Sequence, residues 1–428
     1  MIEDIRVIEM ADQVKLHLIR SNKFKTDLMG VYIKRPLDER EATMNTLLTR
    51  ILERGTKTWS TSRALNHRLD ELYGAILSCD VNKYGELHAM QFKMQLPNER
   101  HIPDKDVLAS GFDIINEVIN KPNLENGLFK EDVFANEVRN LKEEIQGLVN
   151  DKMVYAIDKC IENMCDSESF RFHQYGTIEM LESITNKDLF DHYKEVLKSS
   201  PIDVVVVGDI DFDKTRDMIM EHFHIVRDGV VSIPDSISNV PVSDVREITE
   251  HFDVSQAKLT IGYRTNLSFA HPLYNASVLF SNILGGGASS KLFKNVREKE
   301  SLCYYIFSRI EKYKGVMLIG SGIEAKDKEK ALKLINIELD NMKSGMFDDD
   351  EIKIAKDALT SAIRSISDYP NSFMNFYYSQ KLSGREFDLE GLLGRIELVT
   401  KEEIIEAGNH IELDMIYFLA KEGDAKHE

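Results

Sequence analysis

A chain of 428 residues, 43% hydrophobic and 29% charged, is long enough for two globular domains, each with its own core. Its formal net charge of −18 argues against nucleic acid as a partner, and no window approaches the twenty apolar residues of a membrane-spanning helix. Four cysteines are too few for a disulfide framework, and the opening Met-Ile-Glu-Asp-Ile-Arg-Val lacks the basic leader and apolar core of a secretory signal, so a cytoplasmic location is expected.

The first strong element is a helix over about 42–54, with Met44, Leu47, Leu48, Ile51 and Leu52 on one buried face. Thr46, Thr49, Arg50 and Glu53 fall on the opposite stripe, and Gly55-Thr56 ends the helix. A second helix follows from Ser60, with Leu65, Leu69 and Leu72 on its apolar face. Strands are expected at Ile76–Cys79 and over the alternating stretch His88–Leu96. Helices come next at about 104–120, 130–165 and 186–198, then a buried strand over 202–209 and a helix from about 212 to 224.

Residues 229–243 are rich in Ser and Pro without helical periodicity, as a linker between domains 1–228 and 244–428 would be. Beyond them the order of parts repeats. A helix over 272–284 ends at Gly285-Gly-Gly, and another carries Leu292, Phe293 and Val296. Strands are expected at 303–310 and 315–322, and helices at 327–344, 348–366, from about 371 and 388, and at 400–408. A closing strand covers Met415–Ala420. Repetition on this scale indicates two duplicated domains, not a solenoid.

The stretch Ile283-Leu-Gly-Gly-Gly-Ala-Ser-Ser-Lys-Leu-Phe-Lys-Asn-Val-Arg-Glu-Lys-Glu-Ser-Leu-Cys-Tyr304 resembles, almost position by position, a motif of the M16 (pitrilysin or insulinase-like) zinc peptidases. The helix before Gly55-Thr56 is similar to that family's His-x-x-Glu-His helix, and the likeness runs along nearly the whole chain. Set on Gly55-Thr56, the two zinc-binding histidines fall on Thr46 and Arg50, and the catalytic glutamate on Thr49. A hydroxyl is a poor substitute for imidazole, Thr49 is no base near neutral pH, and a guanidinium repels a dication.

The resemblance places the family's two later glutamates on Glu137 and Glu144, with Glu144 at the ligand position. The seven-residue spacing puts both on one helix face, and either could pair with Arg50. It also implies that Arg297 and Tyr304 hydrogen-bond substrate backbone and help stabilise charge developing on the carbonyl oxygen. The residues themselves leave other roles open: an ion pair of Arg297 with Glu298 or Glu300, and a core position for Tyr304. The family's Gly before Leu302 is Ser301 here. The edge strand that holds extended peptide in the family corresponds to Ala75–Val81, where Leu77 and Ser78 replace the usual Asn-Ala.

The expected fold is therefore α+β: two homologous domains, each a largely antiparallel sheet with helices packed on one face, arranged around a chamber. No metal or cofactor is expected in this chain, and none of its residues is expected to be catalytic alone. The expected function is that of a non-catalytic subunit of a heterodimeric M16 peptidase. Its partner would carry the intact His-x-x-Glu-His and the zinc, while this chain supplies Arg297, Tyr304 and half the chamber to a peptide substrate. The alternative is a peptide- or protein-binding scaffold with no role in proteolysis.

Overall fold

A computed structural model of the chain describes residues 2–104, 106–223, 227–385 and 387–421. It forms two compact units that are not contiguous in sequence. Unit 1 takes in the described residues up to Gln146, Phe172–Asp235 and Ser367–Phe376; unit 2 takes in Gly147–Arg171, Ser236–Ile366 and the described residues from Tyr377 onward. The chain passes from unit 1 to unit 2 at Asp235, inside the expected linker, but the two segments 147–171 and 367–376 make a single linear boundary insufficient. Among the described residues no helix is long and apolar enough to cross a membrane.

In chain order the elements are β1 (Ile2–Ala11), β2 (Val14–Ser21), β3 (Thr26–Pro36), α1 (Glu39–Glu53) and α2 (Ser62–Glu71). Then come β4 (Ile76–Tyr84), β5 (Leu87–Pro97), α3 (Val107–Asn120), the short pair β6 (Leu124–Glu125) and β7 (Leu128–Phe129), α4 (Glu131–Gly147) and α5 (Lys152–Met164). They are followed by α6 (Ile178–Ser183), α7 (Asn186–Ser199), β8 (Ile202–Gly208) and α8 (Phe212–His222). Residue 224, where the last of these helices was expected to end, lies outside the described residues.

After the linker come β9 (Arg246–Phe252), β10 (Ala257–Arg264), α9 (Tyr274–Gly285), a π-helical turn at Phe293–Lys299, β11 (Cys303–Glu311) and β12 (Val316–Ile323). The chain then runs through α10 (Lys328–Lys343), α11 (Asp349–Ile366), α12 (Pro370–Leu382), α13 (Leu389–Glu397) and α14 (Lys401–Asn409) to β13 (Glu412–Lys421).

The two sheets share one plan. Unit 1 has the strand order β1-β2-β8-β3-β5-β4 and unit 2 the order β11-β12-β10-β13-β9. Read from its other end, the second order matches β2-β8-β3-β5-β4 strand for strand. In both, the one parallel pair (β2 with β8, β13 with β9) sits at the same place in an otherwise antiparallel sheet. The duplication expected from the order of parts is thus present in the strand topology.

Alternation along the strands buries one face of the first sheet under helices. Val31, Phe92 and Val204 meet Leu47 and Leu48 of α1 and Ile115 of α3 in one core. Full burial of each such side chain contributes about 1.5–3 kcal/mol. On the opposite face, Gly30 of β3 has no side chain, and a Cβ there would come within 3.0 Å of the Met374 sulfur. Phe373 packs beside Phe24 at 6.3 Å between ring centroids, so the 367–376 segment belongs to this unit. Unit 2 repeats the device. Gly262 of β10 leaves room for α5, where a Cβ would meet the Met164 sulfur at 2.6 Å.

The single helix expected over 130–165 is in fact two. Gly147 ends α4, and Asp151 starts α5 by accepting the Met153 and Val154 amides, both at 3.1 Å. Glycine is a weak helix residue and aspartate a strong N-cap, so the break is locally encoded. Strands β1, β2, β3, β9 and β10 add to the expected elements.

Candidate functional site

Helix α1 is fixed at its start by Asp38, whose Oδ1 accepts the Arg40 and Glu41 amides at 3.0 and 3.1 Å. It stops at Gly55, whose φ is +150° and where a Cβ would come 2.8 Å from the Trp59 carbonyl oxygen, a conformation suited only to glycine. Between these points its polar side chains line a cavity of about 140 Å3, bordered by Thr46, Thr49, Arg50 and Glu53 of α1, by Arg54, which caps the helix, and by Cys79, Asp80 and Val81 of β4.

The alcohols are occupied within the protein. Thr46 Oγ1 donates to the carbonyls of Ala42 and Gln174 at 2.9 and 3.0 Å, and Thr49 Oγ1 donates to the Asn45 carbonyl at 2.8 Å. Arg50 Nη2 donates to Glu144 Oε2 at 2.5 Å, and its guanidinium lies 5.8 Å from the Tyr175 ring centroid. The pair expected between Arg50 and one of the two glutamates is therefore with Glu144.

The other glutamate has a partner that the helix pattern did not single out. Arg54 binds Glu137 at two points, Nε to Oε1 at 2.8 Å and Nη2 to Oε2 at 3.2 Å. Glu137 is buried, and the hydrogen bond to it holds the Arg54 guanidinium pKa above its ordinary value. Burial raises the Glu53 carboxyl pKa; the Arg54 and Arg50 guanidiniums oppose the shift, and the Glu137 and Asp80 charges add to it.

This donor set does not fit a zinc ion. Zinc takes imidazole, thiolate or free carboxylate oxygen around an open coordination position. Here both hydroxyls point their protons at carbonyls, and a permanent cation occupies the carboxylate at the third position. Among the described residues no group of three or more His, Cys, Asp or Glu side chains could hold a metal ion.

Beneath α1 lies a buried polar chain that the sequence pattern did not reveal. His192 Nε2 donates to Asn45 Oδ1 at 2.8 Å, Asn45 Nδ2 donates to His88 Nδ1 at 3.1 Å, and His88 Nε2 donates to the Gln174 carbonyl at 2.9 Å. Each histidine uses one nitrogen as donor, so both are satisfied while neutral. Burial pushes both pKa values down to about 4.

In unit 2, Arg297 lies in the π-helical turn, with Leu292 and Val296 buried beneath it. Its guanidinium carbon sits 4.3 Å from the Phe293 ring centroid. Among the described residues Arg297 forms no ion pair; Glu300 is bound instead by Lys330 at 2.8 Å. Ser301 adopts φ +52°, so serine makes the left-handed turn where the resembled motif has glycine. The chain then enters β11, the edge strand of its sheet, with Leu302 and Cys303 buried and Tyr304 77% exposed. Tyr304 is not a core residue, and among the described residues its hydroxyl has no hydrogen-bond partner.

Comparison with known proteins gives these positions a family. The family model described as "Peptidase M16 inactive domain" matches residues 183–359. The chain is 35% identical over 404 residues to the "Probable inactive metalloprotease YmfF" of Bacillus subtilis (strain 168), covering 94% of this chain and 95% of that one. A crystal structure of a conserved protein from Enterococcus faecalis V583 superposes with a TM-score of 0.93 at 30% identity, covering 99% of this chain and 100% of that one. The peptidase M16 inactive domain from Pseudomonas fluorescens shares the fold, with a TM-score of 0.80 at 16% identity and 98% of both chains covered. The chain belongs to the M16 metallopeptidase family and is a homologue of its inactive members.

Proposed function

We propose that this chain is the non-catalytic subunit of a cytoplasmic, heterodimeric M16 peptidase. An active partner with an intact His-x-x-Glu-His supplies the zinc, and this chain supplies Arg297, Tyr304 and half of the substrate chamber. The observation that carries this reading is a contrast between two places. The α1 side chains are consumed by internal bonds, whereas among the described residues Arg297 and Tyr304 keep their donors uncommitted.

A fixed guanidinium and a phenol can donate to peptide carbonyl oxygens and to one gaining negative charge during hydrolysis. The buried Val296, the Phe293 ring under Arg297 and the tight turn at Ser301 hold the two donors on a rigid base. What these residues contribute is orientation and charge stabilisation; the hydrolytic chemistry belongs to the partner's metal.

The test is reconstitution. A purified active M16 subunit from the same organism, mixed with this chain, should hydrolyse a peptide that neither cleaves alone. Arg297→Ala should lower kcat of the mixture by about 100-fold, the scale of losing one charge-stabilising donor. Undiminished turnover by the Arg297→Ala heterodimer would remove Arg297 from the account, and no gain of hydrolysis on mixing would leave the alternative, a peptide- or protein-binding scaffold outside proteolysis.

A further inference from the structure

The two sheets, alike in plan, differ at one edge. In unit 1 the strand at the place of β9 is β2, and β1 covers its outer side in antiparallel pairing. In unit 2 the sheet ends at β9. Its inner side pairs in parallel with β13, from Arg246 beside Met415 to Phe252 beside Lys421. Among the described residues no backbone group bonds to its outer side. The duplicated plan thus leaves a place for a strand that unit 2 does not fill, and a free row of amides and carbonyls is a template for one.

The side chains of β9 indicate the occupant. Ile248 and Phe252 pack on the core around α5, Asp166 binds Arg246 at 2.7 Å, and the Tyr155 hydroxyl donates to Glu250 at 2.9 Å. The alternate residues Glu247, Thr249 and His251 are exposed. Two copies of the strand laid antiparallel about Thr249 pair all seven residues and set each Glu247 opposite the His251 of the other copy. Lys328 takes only Oε1 of Glu247, and His251 touches the Lys421 carbonyl loosely, 3.4 Å from Nδ1, so the other carboxylate oxygen and Nε2 can meet across the pair. Slipping the register two residues one way would oppose Glu250 to Glu250 and Glu247 to Asp253, like charges that destabilise a strand pair. Slipping it the other way runs His251 and Phe252 past the end of the opposite strand. We propose that β9 is a self-association edge: two copies of this chain join through antiparallel β9–β9 pairing about a two-fold axis at Thr249, so that their second sheets become continuous.

Tyr304 lies on β11, the opposite edge of the same sheet, so self-pairing at β9 is independent of the subunit role proposed above. Sedimentation velocity on the full chain, from micromolar to submillimolar concentration, should show a monomer–dimer equilibrium. Thr249→Lys sets two ammonium groups opposite each other at an exposed position, and should raise the dimer Kd at least about 10-fold with the melting temperature unchanged. Glu247→Lys should also weaken the dimer, and adding His251→Glu should restore it, because the pair is then complementary again. Hydrogen exchange should show the β9 amides gaining protection as concentration rises. A chain that stays monomeric throughout the range overturns the proposal, as does a dimer that Thr249→Lys leaves intact or one that the double variant fails to restore. Amides of β9 already protected in the monomer would overturn it as well, since the chain itself would then cover the edge. None of these outcomes touches reconstituted hydrolysis, which is read separately.

Discussion

Arg54 and Glu137 form a two-point ion pair, and one turn back along α1 Arg50 meets Glu144, two turns on along α4. Arginines four apart facing glutamates seven apart in reverse order make the two helices an antiparallel clamp. The halves of the clamp differ in exposure. The Glu137 side chain is 4% exposed, against 39% for Glu144, so losing Arg54 strands a buried charge and losing Arg50 does not. Arg54→Ala should lower unfolding free energy by about 2–3 kcal/mol and Arg50→Ala by about 1 kcal/mol. The double substitution Arg54→Met with Glu137→Leu should recover most of the loss, because it removes both charges together. Urea denaturation of the four proteins measures this, and equal effects of Arg54→Ala and Arg50→Ala would refute the asymmetry.

The same clamp predicts a fold that does not depend on metal. A ligand that binds only the folded state at 100 times its Kd adds about 2.7 kcal/mol to stability, a shift readily seen in a thermal melt. Neither a zinc-selective chelator nor added zinc should move the melting temperature of this chain. A zinc-dependent rise that is lost in Arg50→Ala would show that Glu144 can leave its arginine for a metal.

Legibility in the sequence followed how locally each feature is encoded. Helix α1 was readable because Leu47, Leu48, Ile51 and Leu52 mark one face; the register at Gly55 singled out Arg50, and the resembled pair of glutamates seven apart offered Glu137 and Glu144 as its partners, of which the structure pairs it with Glu144. Arg54 escaped because, although it lies one turn beyond Arg50 on the same stripe, no position of the resembled His-x-x-Glu-His motif falls on it. Strand β9 (Arg-Glu-Ile-Thr-Glu-His-Phe) buries none of its residues fully, so it carries no apolar run. Its place comes from parallel pairing with β13, a partner remote in sequence. The Asn45–His88–His192 chain joins three elements in space and has no local signature. The break between α4 and α5 was there to be read in Gly147 and Asp151.

That buried histidine chain contributes to the response to acid. Folded His88 and His192 have pKa values of about 4 against an ordinary 6.5, and burial is the cause. Above pH 6.5 both are neutral folded or unfolded, and they contribute no pH dependence. Between 6.5 and 4 the unfolded chain binds protons that the folded chain refuses, so stability falls as pH falls. The slope is about 1.4 kcal/mol per pH unit for each histidine in that window. Urea titrations at pH 7, 6 and 5 should show the decline, and His192→Gln should make it shallower. An unchanged slope in that variant would remove His192 from the account.

Ser301 holds a backbone conformation that favours glycine, at φ +52°. A non-glycine residue there costs about 1–2 kcal/mol, partly offset by the greater chain entropy glycine brings to the unfolded state. Ser301→Gly should therefore raise stability by about 0.5–1 kcal/mol. Since the turn already has its required shape, the variant should leave peptide affinity unchanged. A drop in stability would mean that the serine side chain makes a compensating contribution.

Segment 147–171 is fastened to the sheet of unit 2 by a buried charge cluster. Arg264 Nε donates to Asp414 Oδ2 at 2.8 Å and Nη2 to Glu168 Oε1 at 2.6 Å, while Lys314 Nζ lies 2.6 Å from Glu168 Oε2. Burial opposes the ionised form of Glu168, but the hydrogen bonds from Arg264 and Lys314 outweigh it and hold its pKa below the usual range. Glu168→Gln leaves two buried cations short of a partner and should cost about 3–5 kcal/mol. Asp166 is also bound, by Arg246 at 2.7 Å, but its side chain is 59% exposed, so Asp166→Asn should cost under about 1 kcal/mol. Because Glu168 joins the end of α5 to β10, the loss should be felt first in α5. Hydrogen exchange should show its amides losing protection in Glu168→Gln at denaturant concentrations where those of β12 stay protected. If the α5 and β12 amides lose protection together, the cluster stabilises the whole unit rather than fastening one helix to it.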